Sequence, residues 1–212
     1  MVTAQHFFSH DEQQQIEAAV RAVEQKTSGE IVPLVVDASY DYPRAEMFGG
    51  GTLGLATAIF FSWAFGNESI WVFLPLFLIS TPLFQILIRH TPSLKRHLTP
   101  AAEIDAEVKE KAVVAFVEYG LHKTRDNSGI LIMISLFEHR VQVLADQGIN
   151  DRVPADTWDK LVQDVTNGIK NGTACEALCR EIQICGELLA DDGGHLSPPS
   201  AGGFELLAHV LP

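Results

Sequence analysis

The chain has 212 residues, a formal net charge of -12 and a mean hydropathy of +0.12. The charge argues against a nucleic-acid surface, since a phosphate backbone selects for clustered Lys and Arg, and the length leaves room for one ordinary domain and a small added element. A positive hydropathy in so acidic a chain requires the apolar residues to be concentrated in one place.

The N-terminal MVTAQHFFSHDEQQ has no basic stretch followed by an apolar one, so no signal peptide is expected. Ser9-His-Asp-Glu12 has the spacing of a capping box. Ile16, Ala19, Val20 and Val23 follow at helical spacing, and Thr27-Ser28-Gly29 marks the turn out of that helix. Glu30–Val36 is a short β-branched run that reads as a buried strand, and Pro33 within it predicts an edge position or a bulge. Asp37–Pro43 is a loop.

The apolar residues are concentrated next. Phe48–Phe65 and Ile70–Ile88 are uncharged apolar runs, parted only by Gly66-Asn67-Glu68-Ser69. As helices, each approaches the roughly 30 Å of a bilayer core. Gly50 and Gly54 form a GxxxG, which serves either packing within a hairpin or dimerisation. Pro75 and Pro82 are compatible with a membrane helix, and Trp63 and Trp71 stand where an aromatic belt would lie. A core hairpin of a soluble protein and a shallow re-entrant hairpin are the alternatives. Arg44 precedes the first run and Arg89, Lys95 and Arg96 follow the second, whereas the connection has no Lys or Arg. The positive-inside rule therefore places both termini in the cytoplasm, and the same cations suit anionic lipid head groups.

Beyond the hairpin, Thr99-Pro100 opens a helix that buries Ile104, Val108, Ala112, Ala115, Phe116 and Tyr119, with Gly120 as its stop. The turn Arg125–Gly129 leads into Ile130–Leu136, the most apolar strand of the chain. Glu138-His139 separates it from Arg140–Ala145, giving a hairpin-like pair, and Asp146–Asp151 reads as a loop. Pro154 begins a helix with Trp158, Leu161, Val162, Val165 and Ile169 on one face. Thr173-x-x-Glu176 caps another, burying Leu178, Ile182, Cys185, Leu188 and Leu189. Cys175, Cys179 and Cys185 all fall in this last helix. An odd count without framework spacing suggests a reducing compartment, and Cys175 and Cys179 lack the further ligands a zinc site needs. From Asp191 the composition is that of a loose tail. The order of elements points to an α/β class: helices covering a small mixed sheet, interrupted by a two-helix transmembrane hairpin. The expected divisions are 1–45, 46–90 for the hairpin, 91–191, and a tail at 192–212.

Three segments in this order, Thr27-Ser-Gly-Glu-Ile-Val-Pro33, Asp126-Asn-Ser-Gly-Ile-Leu-Ile132 and Arg140-Val-Gln-Val-Leu-Ala-Asp-Gln-Gly-Ile149, resemble the TPM domain family. That family is named for a thylakoid lumen protein, a photosystem II repair protein and a nematode receptor modulator. The resemblance covers roughly residues 9–190. It implies an α/β/α fold with a small central sheet. For function it implies divalent-metal binding with weak acid phosphatase activity, or a part in assembling or repairing membrane complexes. The hairpin inside the domain departs from the better-known members and resembles a bacterial membrane subgroup, which implies the inner membrane of a bacterium.

Carboxylates in the loops are the candidate chemistry. Asp37 follows the first strand, Asp126 and Asn127 precede the second, and Asp146 ends the third. Loops converging at one end of a sheet supply the oxygen ligands that Ca²⁺ or Mg²⁺ requires. The same residue types are what ordinary turns use. The resemblance favours the Asp126-Asn127 loop. Arg125 and Arg140 are the candidate phosphate ligands for a phosphatase, but no P-loop, nucleophile elbow or metal-binding His motif accompanies them. The leading expectation is a non-catalytic binding or assembly module on the cytoplasmic face, with membrane lipid and a membrane protein complex as partners. A metal-dependent phosphatase is the second reading, and a holin-like homo-oligomer of hairpins the third.

Overall fold

The computed structural model describes residues 3–66, 69–124, 127–151, 153–154 and 156–190. It divides into two compact units, one of residues 1–39 with 107–212 and one of residues 40–106.

The first unit is built on a three-stranded sheet ordered β1 (Glu30–Val36), β2 (Gly129–Ser135), β3 (Arg140–Ala145). β1 pairs with β2 in parallel, with Glu30 opposite Gly129 and Val36 opposite Ser135. β3 returns antiparallel, with Ile130 opposite Ala145 and Ser135 opposite Arg140. β1 is thus an edge strand, as Pro33 requires, because a proline has no N–H to give a second neighbour. β2 is central and every one of its residues is buried, which is why it is the most apolar run outside the hairpin.

Side chains alternate across this sheet. Ile31, Ile130, Ile132, Ile134, Val141 and Val143 face one core, with Phe8, Ile16, Ala19, Val20, Val23, Leu161, Val165, Leu178, Ile182 and Leu189. These last come from α1 (His10–Glu24), α7 (Thr157–Asn171) and α8 (Ala174–Ala190), and α8 packs against both other helices. Gly186 is where α8 comes closest to α1: a Cβ there would stand 2.5 Å from a Val23 methyl. Val32, Leu34, Leu131 and Met133 alternate to the other face and are buried too, as are Val108, Ala112, Ala115 and Leu121. Ser9 and Glu12 form the expected capping box, each satisfying the other's backbone N–H.

The second unit contains α2 (Pro43–Ala64), α3 (Ile70–Arg89) and α4 (Pro92–Leu98). The boundary with the first unit falls inside α5 (Ala101–Glu118). α2 and α3 form an antiparallel hairpin in contact through small residues. A Cβ on Gly54 would lie 2.4 Å from Thr81 Oγ1 and 2.9 Å from its Cα, and one on Gly50 would lie 2.4 Å from Gln85 Cγ. The GxxxG is therefore taken up inside the hairpin, the first of the two uses open to it. Ser80 reinforces the contact by donating to the carbonyl of Gly54 at 3.1 Å.

Five short or shifted elements differ from the sequence expectation. The 3-10 turns at Ala4–His6 and Leu121–Lys123, the basic helix α4 and a four-residue α6 (Gln147–Asn150) are additional, and α7 begins three residues after Pro154. None of the four additions is long enough to show a helical repeat in sequence.

Candidate functional site

The three described candidate ligands, Asp37, Asn127 and Asp146, fall at two ends of the sheet. The parallel pairing of β1 with β2 carries Asp37 to the Ser135 end, where Phe137 N–H donates to its carbonyl at 2.9 Å. The antiparallel return of β3 carries Asp146 to the opposite end, where its N–H donates to the Gly129 carbonyl at 2.9 Å, two residues after Asn127. Six steps of about 3.3 Å put these ends roughly 20 Å apart. The expectation that these loops converge is corrected by the topology: Asp37 does not join Asn127 and Asp146. Asp126 and Arg125 lie outside the described residues. Among the described residues no group of three or more His, Cys, Asp or Glu is placed to hold a metal. Asp37 with Asp146 therefore does not fit a single cation.

The Asn127–Asp146 end is built from turns. Asn127 is exposed and adopts a left-handed backbone, φ 49°, a conformation Asn accepts more readily than most residues. Asp146 caps α6, its Oδ1 accepting the Gln147 N–H at 2.7 Å. Its Oδ2 is buried and makes no hydrogen bond among the described residues. On this same side Glu24 and Glu30 approach one another. Burial, then the charge of Glu30, pushes the Glu24 carboxyl up to about 7, against a hydrogen bond from the Ile31 backbone that lowers it.

The Asp37 end is more tightly organised. Asp37 Oδ1 accepts the Ala4 N–H at 2.6 Å, fastening the N-terminal 3-10 turn to the end of β1. Glu138 is 1% exposed. Its Oε1 accepts the Ser39 N–H at 2.8 Å and its Oε2 accepts the hydroxyl of Ser135 in a short hydrogen bond. The hydroxyls of Ser39 and Ser135 are themselves 3.1 Å apart. The sequence reading passes over Glu138 as a turn residue. The available signal is its position three residues after Ser135, a lone hydroxyl ending an otherwise apolar strand. Arg140 lies across from Ser135 at this end, exposed. His139 is exposed with φ 54°, and His122 is exposed in the turn Leu121–Lys123.

Cys175 and Cys185 are buried, and burial pushes both thiols up to about 12; the neighbouring Cys179 adds to the shift of Cys175. They pack in the core of α8, with Cys175 Sγ 3.6 Å from the Glu12 carbonyl. These are interior thiols far from the thiolate state that nucleophilic or metal chemistry needs.

In the hairpin unit, α2 and α3 are long and apolar enough to cross a membrane, and only 22% and 6% of their most apolar 18-residue windows are buried. The core hairpin of a soluble protein would be mostly buried. Trp63, Phe65 and Trp71 are 79%, 74% and 81% exposed beside the connection.

Comparison with known proteins agrees with this architecture. The family model described as "TPM domain" matches residues 84–183, from the end of α3 through most of α8. No curated protein matches the chain. Among solved structures, the NMR structure of BA42 protein from the psychrophilic bacterium Bizionia argentinensis superposes with a TM-score of 0.51 at 18% identity. That superposition covers 87% of this chain and 83% of that one, a likeness of fold. The family match over residues 84–183, on a fold shared with BA42, identifies a TPM domain within this chain.

Proposed function

We propose that the chain is a membrane-anchored TPM-domain binding module. The hairpin α2–α3 crosses the bilayer, both termini stay on the cytoplasmic face, and the TPM unit docks there onto a membrane protein. The observation that carries the anchor is the apolar surface of α2 and α3, which faces outward along nearly its whole length. Water solvates such a surface poorly, at roughly 25 cal/mol per Å², whereas lipid tails accept it. The cytoplasmic side follows from Arg44, Arg89, Lys95 and Arg96 gathered at one end of the antiparallel pair and the lack of Lys or Arg in the connection.

Binding is favoured over hydrolysis by what the acidic side chains do. Asp37 holds Ala4, Asp146 caps Gln147, and Glu138 holds Ser39 and Ser135. Each is engaged in hydrogen bonds that hold its own fold together. Alkaline carbonate washing of membranes from expressing cells tests the anchor, and protease protection in sealed vesicles tests the side. The protein should remain in the pellet, with the TPM unit digested only from the cytoplasmic face. Extraction by carbonate overturns the anchor. Phosphomonoester turnover abolished by Asp126→Ala overturns the non-catalytic reading.

One observation favours divalent-cation binding as an added property: the buried Oδ2 of Asp146, a carboxylate oxygen without a hydrogen bond. A hard cation bound there would draw on this oxygen and on neighbouring loop carbonyls. Calorimetry with Ca²⁺ and Mg²⁺ should show binding by the wild type that Asp146→Asn weakens. No heat from either ion overturns it.

A further inference from the structure

At the charged end of the hairpin, α4 folds back against both α2 and α3. Lys95 Nζ donates to Glu46 Oε1 at 2.7 Å, with both side chains largely covered. The close approach of Leu98 and Ile88 to Gly49 seats α4 from the other side. The pairing Lys95–Glu46 consumes one cation and the nearby carboxylate. Between Arg44 and Arg96 the sequence holds one other acid, Glu68, in the connection at the far end. Because the helices run antiparallel, Arg44 in the first turn of α2 stands level with Arg89 in the last turn of α3. Arg96 lies one turn into α4. Arg44 and Arg89 are exposed, Arg96 is partly so, and none has a hydrogen bond or ion pair among the described residues. Exposed His90 and His97 flank them.

This arrangement is unusual for the chain. A protein of net charge -12 keeps three guanidinium groups without an ion pair among the described residues around one end of an apolar hairpin. They stand at the level where that hairpin would leave the hydrocarbon. We propose that Arg44, Arg89 and Arg96 form a binding surface for anionic phospholipid head groups, with α4 held in place by Lys95–Glu46 as its floor. Guanidinium forks match phosphate oxygens bidentately. The lipid is favoured over a soluble phosphate because the surface is continuous with apolar helix faces that would take the acyl chains. The proposal rests on the anchor described above and specifies what the anchor recognises.

Native mass spectrometry of the full chain in detergent, with phosphatidylglycerol or phosphatidylcholine added, tests it, alongside carbonate extraction of the same variants. Phosphatidylglycerol should be retained at least about tenfold better, since each surface cation contributes roughly fivefold. Arg44→Gln/Arg89→Gln/Arg96→Gln should erase the preference and leave the protein resistant to carbonate. Equal retention of the two lipids by the wild type overturns the proposal, as does a preference that survives the triple substitution. Glycerol phosphate bound as well as phosphatidylglycerol assigns the surface to a soluble phosphate and also overturns it. Extraction of the wild type by carbonate removes the anchor itself, a separate failure that a lipid preference cannot mimic.

Discussion

Glu138 holds the backbone N–H of Ser39 at 2.8 Å across 99 residues of sequence, and the same carboxylate binds the hydroxyl of Ser135. It therefore ties the end of β1 to the β2–β3 turn. Glu138→Ala removes the carboxylate acceptor of the half-buried Ser39 N–H and of the buried Ser135 hydroxyl, at about 1–3 kcal/mol each. The expected loss of stability is about 2–4 kcal/mol, a fall in Tm of about 5–15 °C. Glu138→Gln keeps one acceptor oxygen and should lose less. Thermal unfolding followed by circular dichroism decides between them, and a Glu138→Ala protein as stable as wild type would remove the clamp.

The hairpin interface depends on the missing Cβ of Gly54, because the atoms it would meet include the Thr81 backbone, which cannot step aside. Gly54→Ala should destabilise the detergent-solubilised hairpin by about 1–3 kcal/mol, the usual penalty of overpacking. Gly51 is the control: a Cβ there has nothing within 4 Å, so Gly51→Ala should be neutral or mildly stabilising. Equal effects of the two substitutions in thermal scans would contradict the packing.

The raised carboxyl of Glu24 gives a pH signature. Its folded-state value of about 7 lies above the ordinary 4.5, so between these values the folded protein binds the extra proton. Stability from this group is complete below pH 4.5 and is lost as pH rises through 7. Burial also raises Glu181, which adds to the same trend. Glu24→Gln should flatten the profile. Its Tm should match wild type near pH 4 and exceed it by about 2–4 °C at pH 8, the gain being limited by the partial exposure of the site. A constant difference across that range would show that Glu24 does not titrate with folding.

Thiol reactivity separates the cysteines. At pH 8 the native protein should label at the partly exposed Cys179 first. Cys175 and Cys185, with thiols pushed up to about 12, should react at least about a hundredfold more slowly than in guanidinium. Rapid native labelling of Cys185 would place it outside the core.

Much of this fold is legible from sequence because single residues carry the information. Pro33 announces an edge strand, Ser9 with Glu12 a helix start, and Ile130–Ser135 a central strand buried on both faces. The two apolar runs announce the hairpin through length and composition. The site is less legible because it depends on strand direction. Asp37 and Asp146 both follow a strand, and nothing local says that one strand runs with β2 and the other against it. Glu138 looks like any turn residue until Ser39, which is remote in sequence, is folded over it. α4 is hidden for a further reason: seven residues bearing Lys95, Arg96 and His97 resemble a solvated linker, and only Glu46 on another helix reveals their seat.

The neighbouring strands β1 and β2 are separated by about 90 residues that include the whole hairpin. At roughly 5–20 residues per second of synthesis, β1 waits about 5 to 18 s for its partner. During that time it is a short apolar ribbon with both edges open. The apolar hairpin is complete before β2 has been made, so the pairing of α2 with α3 and the closing of the sheet have a fixed chronology. For this protein, the translation apparatus delivers the apolar hairpin first and the closed sheet second.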